Sequence, residues 1–106
     1  MSHPVMATLA ALSLLVFTTA AAAAQAPAKP VRLGLCAACH GENGRAVQPG
    51  TPHLAGQDLD YLKSALAAYR SGARDVPLMR TATGALSSAE LDELAVWFAA
   101  QSPVPP

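Results

Sequence analysis

Apolar residues recur along this chain at helical spacing, and nowhere do they alternate as they would along a strand. Leu59, Leu62, Ala65, Leu66 and Tyr69 fall on one side of a helical projection, with Asp60, Lys63 and Arg70 left for solvent. That spacing predicts an amphipathic helix over Asp58–Ser71, closed by Gly72 as a left-handed cap. A second series, Leu91, Leu94, Ala95, Trp97 and Phe98, follows Ser87-Ser88-Ala89-Glu90, a capping box in which Ser87 and Glu90 satisfy each other's free amides. This last helix is predicted to run to about Gln101, where Ser-Pro-Val-Pro-Pro stops it. A shorter helix is predicted with Pro30 in its first turn and its end near Cys39, carrying Leu33, Leu35 and the cysteines and weakened by Gly34. Between these elements, Gly41–Gly56 is dense in Gly and Pro and reads as a loop that is ordered only if wrapped on something. Ala73–Ala85, with Pro77 and Met79, reads as a second loop. The predicted class is all-α.

The N-terminus has a different character. The first 24 residues contain no Lys, Arg, Asp or Glu. Met6–Phe17 is an apolar block, and Ala22 and Ala24 offer an A-x-A cleavage pattern before Gln25. Residues 1–24 therefore read as a secretory signal peptide, although Met1-Ser2-His3-Pro4 lacks the usual Lys or Arg. An uncleaved anchor is the competing reading, since Val5–Ala24 is just long enough at about 20 residues, but its second half is weakly apolar alanine and threonine. Cleavage leaves about 82 residues, two histidines (His40 and His53) and one methionine, Met79. A chain of that size holds one small domain, whose apolar core is marginal without a staple or cofactor. Seven basic against seven acidic side chains give no electrostatic case for nucleic acid or an anionic membrane surface.

The chemistry is concentrated in Cys36-Ala37-Ala38-Cys39-His40, which holds both cysteines of the chain. A C-x-x-C-H run reads as a c-type haem attachment site. Two cysteines three apart lie one helical turn from each other, so both sulfurs reach the vinyl groups on one porphyrin edge. His40 then falls under the ring, with a nitrogen for the iron. Covalent haem would supply the missing core, and thiols bonded to porphyrin are safe from oxidation in an exported protein. Two other uses of the motif stay open. A redox disulfide is one, though no βαβ pattern is present to carry it. Zinc held by Cys36, Cys39, His40 and His53 is the other, though a histidine fused to the second cysteine suits a tetrahedron poorly.

Beyond the motif, the chain carries Gly41, Pro52-His53-Leu54-Ala55-Gly56-Gln57, Tyr61-Leu62, Leu66, Tyr69-Arg70, Gly72, Met79, Leu86-Ser87, Leu94-Ala95 and Trp97 in order. In these residues it resembles the class I monohaem cytochromes c, in particular one haem domain of the dihaem cytochromes c-four and their small single-haem relatives, from about Leu35 to Gln101. The resemblance implies three to five short helices around one haem c, with the first and last helices crossing and Trp97 packed on the first. It implies Cys36 and Cys39 as thioether partners, His40 and Met79 as axial iron ligands, and the Pro52 carbonyl as acceptor for the other nitrogen of His40. Residues 25–30 become a disordered lead-in, 31–102 the haem domain and 103–106 a tail. Two departures stand out: Ala28-Lys29-Pro30 where relatives carry a glycine ahead of the first cysteine, and Thr83 where many carry alanine.

Met79 also has a plainer reading as a core-filling side chain. His53 reads as a solvated loop residue, and Tyr69 and Trp97 as core. Arg45, Arg74 and Arg80 read as solvated, with haem propionates as possible partners. With both axial positions filled, only an electron can enter or leave the iron. The expected function is a periplasmic, non-enzymatic electron carrier serving a membrane respiratory complex, a dehydrogenase or a terminal oxidase or reductase, without strong membrane association once cleaved. The alternatives are a haem subunit of a larger membrane oxidoreductase, or an open-iron sensor or catalyst if Met79 is not a ligand.

Overall fold

The computed structural model of the chain describes residues 1–5, 13–20 and 25–105. Its helices are α1 (Leu33–His40), α2 (Leu59–Ser71), α3 (Pro77–Gly84) and α4 (Ser88–Ala99), and no strand occurs among the described residues. The cleavage pattern at Ala22 and Ala24, and residues 6–12 of the apolar block, lie outside the described residues. Leu14, Leu15, Val16 and Phe17, from the rest of that block, are exposed and form no helix.

Each helix end has a local cause. Asp58 precedes α2 and its carboxylate accepts from the Tyr61 N–H at 2.9 Å, while Gly72 closes the helix in the left-handed conformation. Before α4, the Glu90 N–H donates to Ser87 Oγ at 3.1 Å and the Ser87 N–H to Glu90 Oε2 at 3.0 Å, completing the capping box. Helix α4 ends at Ala99, two residues ahead of the sequence expectation. Helix α1 starts at Leu33, not in the turn that holds Pro30, and has no side-chain cap at its N-terminus. Pro30 instead ends the lead-in, its carbonyl accepting from the Leu33 N–H at 3.1 Å.

Two expectations are corrected. The segment Ala73–Ala85 is not all loop, since α3 occupies most of it: Pro77 takes the first helical position, where a missing N–H costs nothing, and puts Met79 on a helix. Arg70 is not left for solvent. Its guanidinium donates to Leu86 O at 3.2 Å and Ser88 Oγ at 2.8 Å, tying the end of α2 to the start of α4.

The buried apolar side chains are Leu33 from α1, Leu62 from α2, Leu86 from the α3–α4 turn, and Leu91, Leu94, Ala95 and Phe98 from α4. Cys36, Ala37, Leu66 and Trp97 pack against them, so α1 and α4 meet through Leu33 and its neighbours. Trp97 also donates from Nε1 to the Glu42 carbonyl, just beyond α1, at 2.7 Å. Arg32 ahead of α1 pairs with Glu90 in the first turn of α4 at 3.2 Å.

That pairing makes the acid limb of stability predictable. The Ser87 N–H first, and Arg32 after it, hold the Glu90 carboxyl below the usual carboxylate range. A carboxyl whose folded pKa lies below its unfolded one adds stability above the unfolded value, and loses it as pH falls through the folded value. Glu90→Gln should therefore flatten the low-pH limb of melting temperature against pH. Ser87→Ala should cost about 1 kcal/mol in denaturant unfolding at neutral pH.

Candidate haem site

The motif sits at the C-terminal end of α1, where Cys36 and Cys39 are partly buried and form no disulfide and His40 is the last helical residue. Before haem is attached, burial holds the Cys36 thiol above its usual pKa. His40 is buried, with 7% of its surface exposed. Its Nδ1 lies 2.9 Å from the Pro52 carbonyl oxygen. A carbonyl can only accept, so Nδ1 carries the proton and Nε2 keeps its lone pair for a metal.

The chain can leave α1 in this way only because Gly41 takes φ +78° and ψ 150°. A Cβ there would lie 2.0 Å from the Arg45 carbonyl oxygen. The loop that follows is braced by the protein itself. The Cys39 carbonyl accepts from Val47 N–H at 3.0 Å and Gln48 N–H at 3.4 Å. Gly44 O accepts from Leu54 N–H at 2.7 Å and Ala55 N–H at 3.0 Å, and Gly56 N–H reaches Phe98 O at 3.0 Å. Backbone bonds to the end of α1 and to α4 thus hold this loop.

Met79 lies in the first turn of α3 and is partly buried. Thr83, itself buried, donates from Oγ1 to the Met79 carbonyl at 2.8 Å, a contact hidden in a sequence where Thr83 stood out only as a departure from relatives. His53 is exposed, as expected, but not idle: its Nδ1 accepts from the Ala46 N–H at 2.9 Å. The arginines are engaged as well. Arg45 donates to Ser102 O at 2.9 Å, Arg74 stacks 4.5 Å over the Tyr69 ring, and the Arg80 guanidinium packs against Gly72.

Among the described residues, no three His, Cys, Asp or Glu side chains gather as a metal-binding group, so the zinc alternative has no geometry behind it. A haem fits the residues that are present. It needs two thiols one turn apart, an imidazole with a free Nε2, and apolar surface to cover. Leu35 beside Cys36 and Val47 bonded to Cys39 are 51% and 66% exposed. Apolar side chains left uncovered around such a motif suit a large apolar macrocycle.

The family model described as Cytochrome c matches residues 24–97. The chain belongs to the cytochrome c family. Its cofactor is a covalently bound haem c with iron, and Cys36 and Cys39 fit the attachment motif. Cytochrome c-554(548) of Halomonas halodenitrificans is 35% identical over 74% of this chain and 99% of its own length. The thiosulfate dehydrogenase electron acceptor of Stutzerimonas stutzeri is 40% identical over 67% of this chain and 33% of that protein. In structure, the chain is similar to cytochrome c4 of Acidithiobacillus ferrooxidans, with a TM-score of 0.57 and 29% identity over 61% of this chain and 37% of that one. The chain thus spans nearly all of the first relative and about a third of the other two. The Stutzerimonas relative is named for accepting electrons, and this chain shares the cytochrome c family with it. No helix among the described residues is long and apolar enough to cross a membrane.

Proposed function

We propose that this cytochrome c is a periplasmic carrier of single electrons, with Cys36 and Cys39 in thioether linkage to haem and His40 and Met79 as axial iron ligands. The observation that carries this reading is the hydrogen bond from His40 Nδ1 to Pro52 O. It fixes the tautomer, leaves Nε2 with its lone pair for the iron, and raises the basicity of the ring. When bound, the haem supplies an iron that cycles between ferrous and ferric states. Met79, on α3, would supply the second protein ligand to the iron, leaving no vacant site for substrate or oxygen. Packing of α3 against α2 and the Thr83 bond hold the turn that carries Met79, so little rearrangement should accompany electron transfer.

Docking to redox proteins should be weak and transient, because overall charge is balanced and any steering must come from local charge. The periplasmic location rests on the signal-like first 24 residues. Protein exported in a host with a haem-attachment pathway tests the whole reading. Haem should stay with the polypeptide through denaturation, and one electron per chain should be taken up in a reductive titration. The reduced protein should be inert to carbon monoxide, and its first residue should be Gln25 by mass spectrometry. Carbon monoxide binding by the unaltered protein would replace the carrier with an open-iron sensor or catalyst.

A further inference from the structure

His40 is not held by Pro52 alone, because its acceptor is itself tethered. The Pro52 carbonyl lies in a stretch with few backbone anchors. Pro52 has no N–H to give, and Thr51 N–H reaches Gln48 O only at 3.3 Å. On the other flank, His53 Nδ1 accepts from Ala46 N–H at 2.9 Å. Ala46 in turn precedes Val47 and Gln48, whose N–H groups both point to the carbonyl of Cys39, the residue before His40. The bonds close a circuit: Cys39 carbonyl to 47–48, Ala46 to the His53 ring, and Pro52 back to the His40 ring.

We propose that His53 is a positioning residue for His40: as a neutral imidazole accepting at Nδ1, it clips Pro52 to the segment bonded to Cys39 and so sets the strength of the His40–Pro52 bond. This rests on His40 as the axial ligand. The role depends on the acceptor and not on packing, because His53 is exposed. Backbone bonds from Leu54 and Ala55 to Gly44 continue the same brace beyond it, so removing the clip loosens the Pro52 carbonyl without releasing the loop. A weaker Pro52 bond leaves the His40 ring less electron-rich, favouring ferrous over ferric iron and raising the potential.

The test compares His53→Phe, which keeps a ring and removes the acceptor, with His53→Asn, whose Oδ1 can accept from Ala46 and cannot be protonated. The probe is solvent exchange of the His40 Nδ1 proton, followed by NMR in the reduced, haem-loaded protein. His53→Phe should exchange about fivefold faster than the unaltered protein, the net effect of one neutral hydrogen bond, and its potential should rise. His53→Asn should restore both. Unchanged exchange and potential in His53→Phe, or an asparagine variant as fast as the phenylalanine one, would overturn the proposal. His40 ring protons not displaced by the porphyrin ring current in the unaltered protein would instead remove the ligand assignment on which it rests.

Discussion

Met79→Ala is expected to abolish the sulfur-to-iron charge-transfer band, lower the reduction potential by on the order of 0.2 V, and open the reduced iron to carbon monoxide. Met79 is the only methionine beyond residue 24, so no other thioether downstream of the proposed cleavage site can replace it. Its helix is fixed independently of its side chain. Pro77 starts it, Arg80 N–H bonds to Val76 O at 2.9 Å, and Thr83 Oγ1 bonds to the Met79 carbonyl at 2.8 Å. Truncating Met79 therefore removes a donor while leaving its backbone in place. Leu78→Ala is the control: Leu78 is the neighbour on the same turn and is 71% exposed, so the band should survive its truncation. A band and a potential that persist in Met79→Ala would take the sixth ligand away from this residue and leave the haem attachment untouched.

What could be read from the sequence, and what could not, divides along the range of the interaction. Gly72 and the Ser87/Glu90 box act within a few residues of themselves, and each does in the structure what its spacing implied. The attachment motif is equally local. Helix α3 escaped because Pro77, Thr81 and Gly84 look like loop punctuation, whereas proline in the first helical position is harmless and two turns are too short to show a period. Arg70 escaped for a different reason. A cation on the polar side of a helix reads as solvated, and its acceptors, Leu86 O and Ser88 Oγ, come from a later turn that only the folded chain brings close. His53 and Thr83 belong with Arg70: their chemistry is visible in the sequence, and their partners are not. The bond from His40 to Pro52 spans 12 residues and was accessible only through family resemblance.

Gly41→Ala is expected to be the most damaging of the conservative substitutions considered, and Gly34→Ala, seven residues earlier, to be harmless. Gly41 combines φ +78° with ψ 150°, a region essentially closed to residues with a Cβ and costing about 1–3 kcal/mol where it is forced. The added methyl would also stand 2.0 Å from the Arg45 carbonyl oxygen, a backbone atom that cannot swing away. Relieving that clash means moving the chain directly after His40, and with it the approach of Pro52. A total loss of about 3 kcal/mol corresponds to a fall in melting temperature of roughly 12–24 °C for a domain of this size. Gly34 lies inside α1, and no atom stands within 4 Å of a Cβ built there. Alanine at that position should raise stability by about 0.5–1 kcal/mol, because the unfolded chain loses freedom and the helix gains propensity. Thermal melts of both variants with haem attached, beside the fraction of chains that acquire haem, measure the contrast. If Gly41→Ala melts like the unaltered protein and loads haem fully, the exit from α1 is not the constraint on His40 that its backbone angles imply.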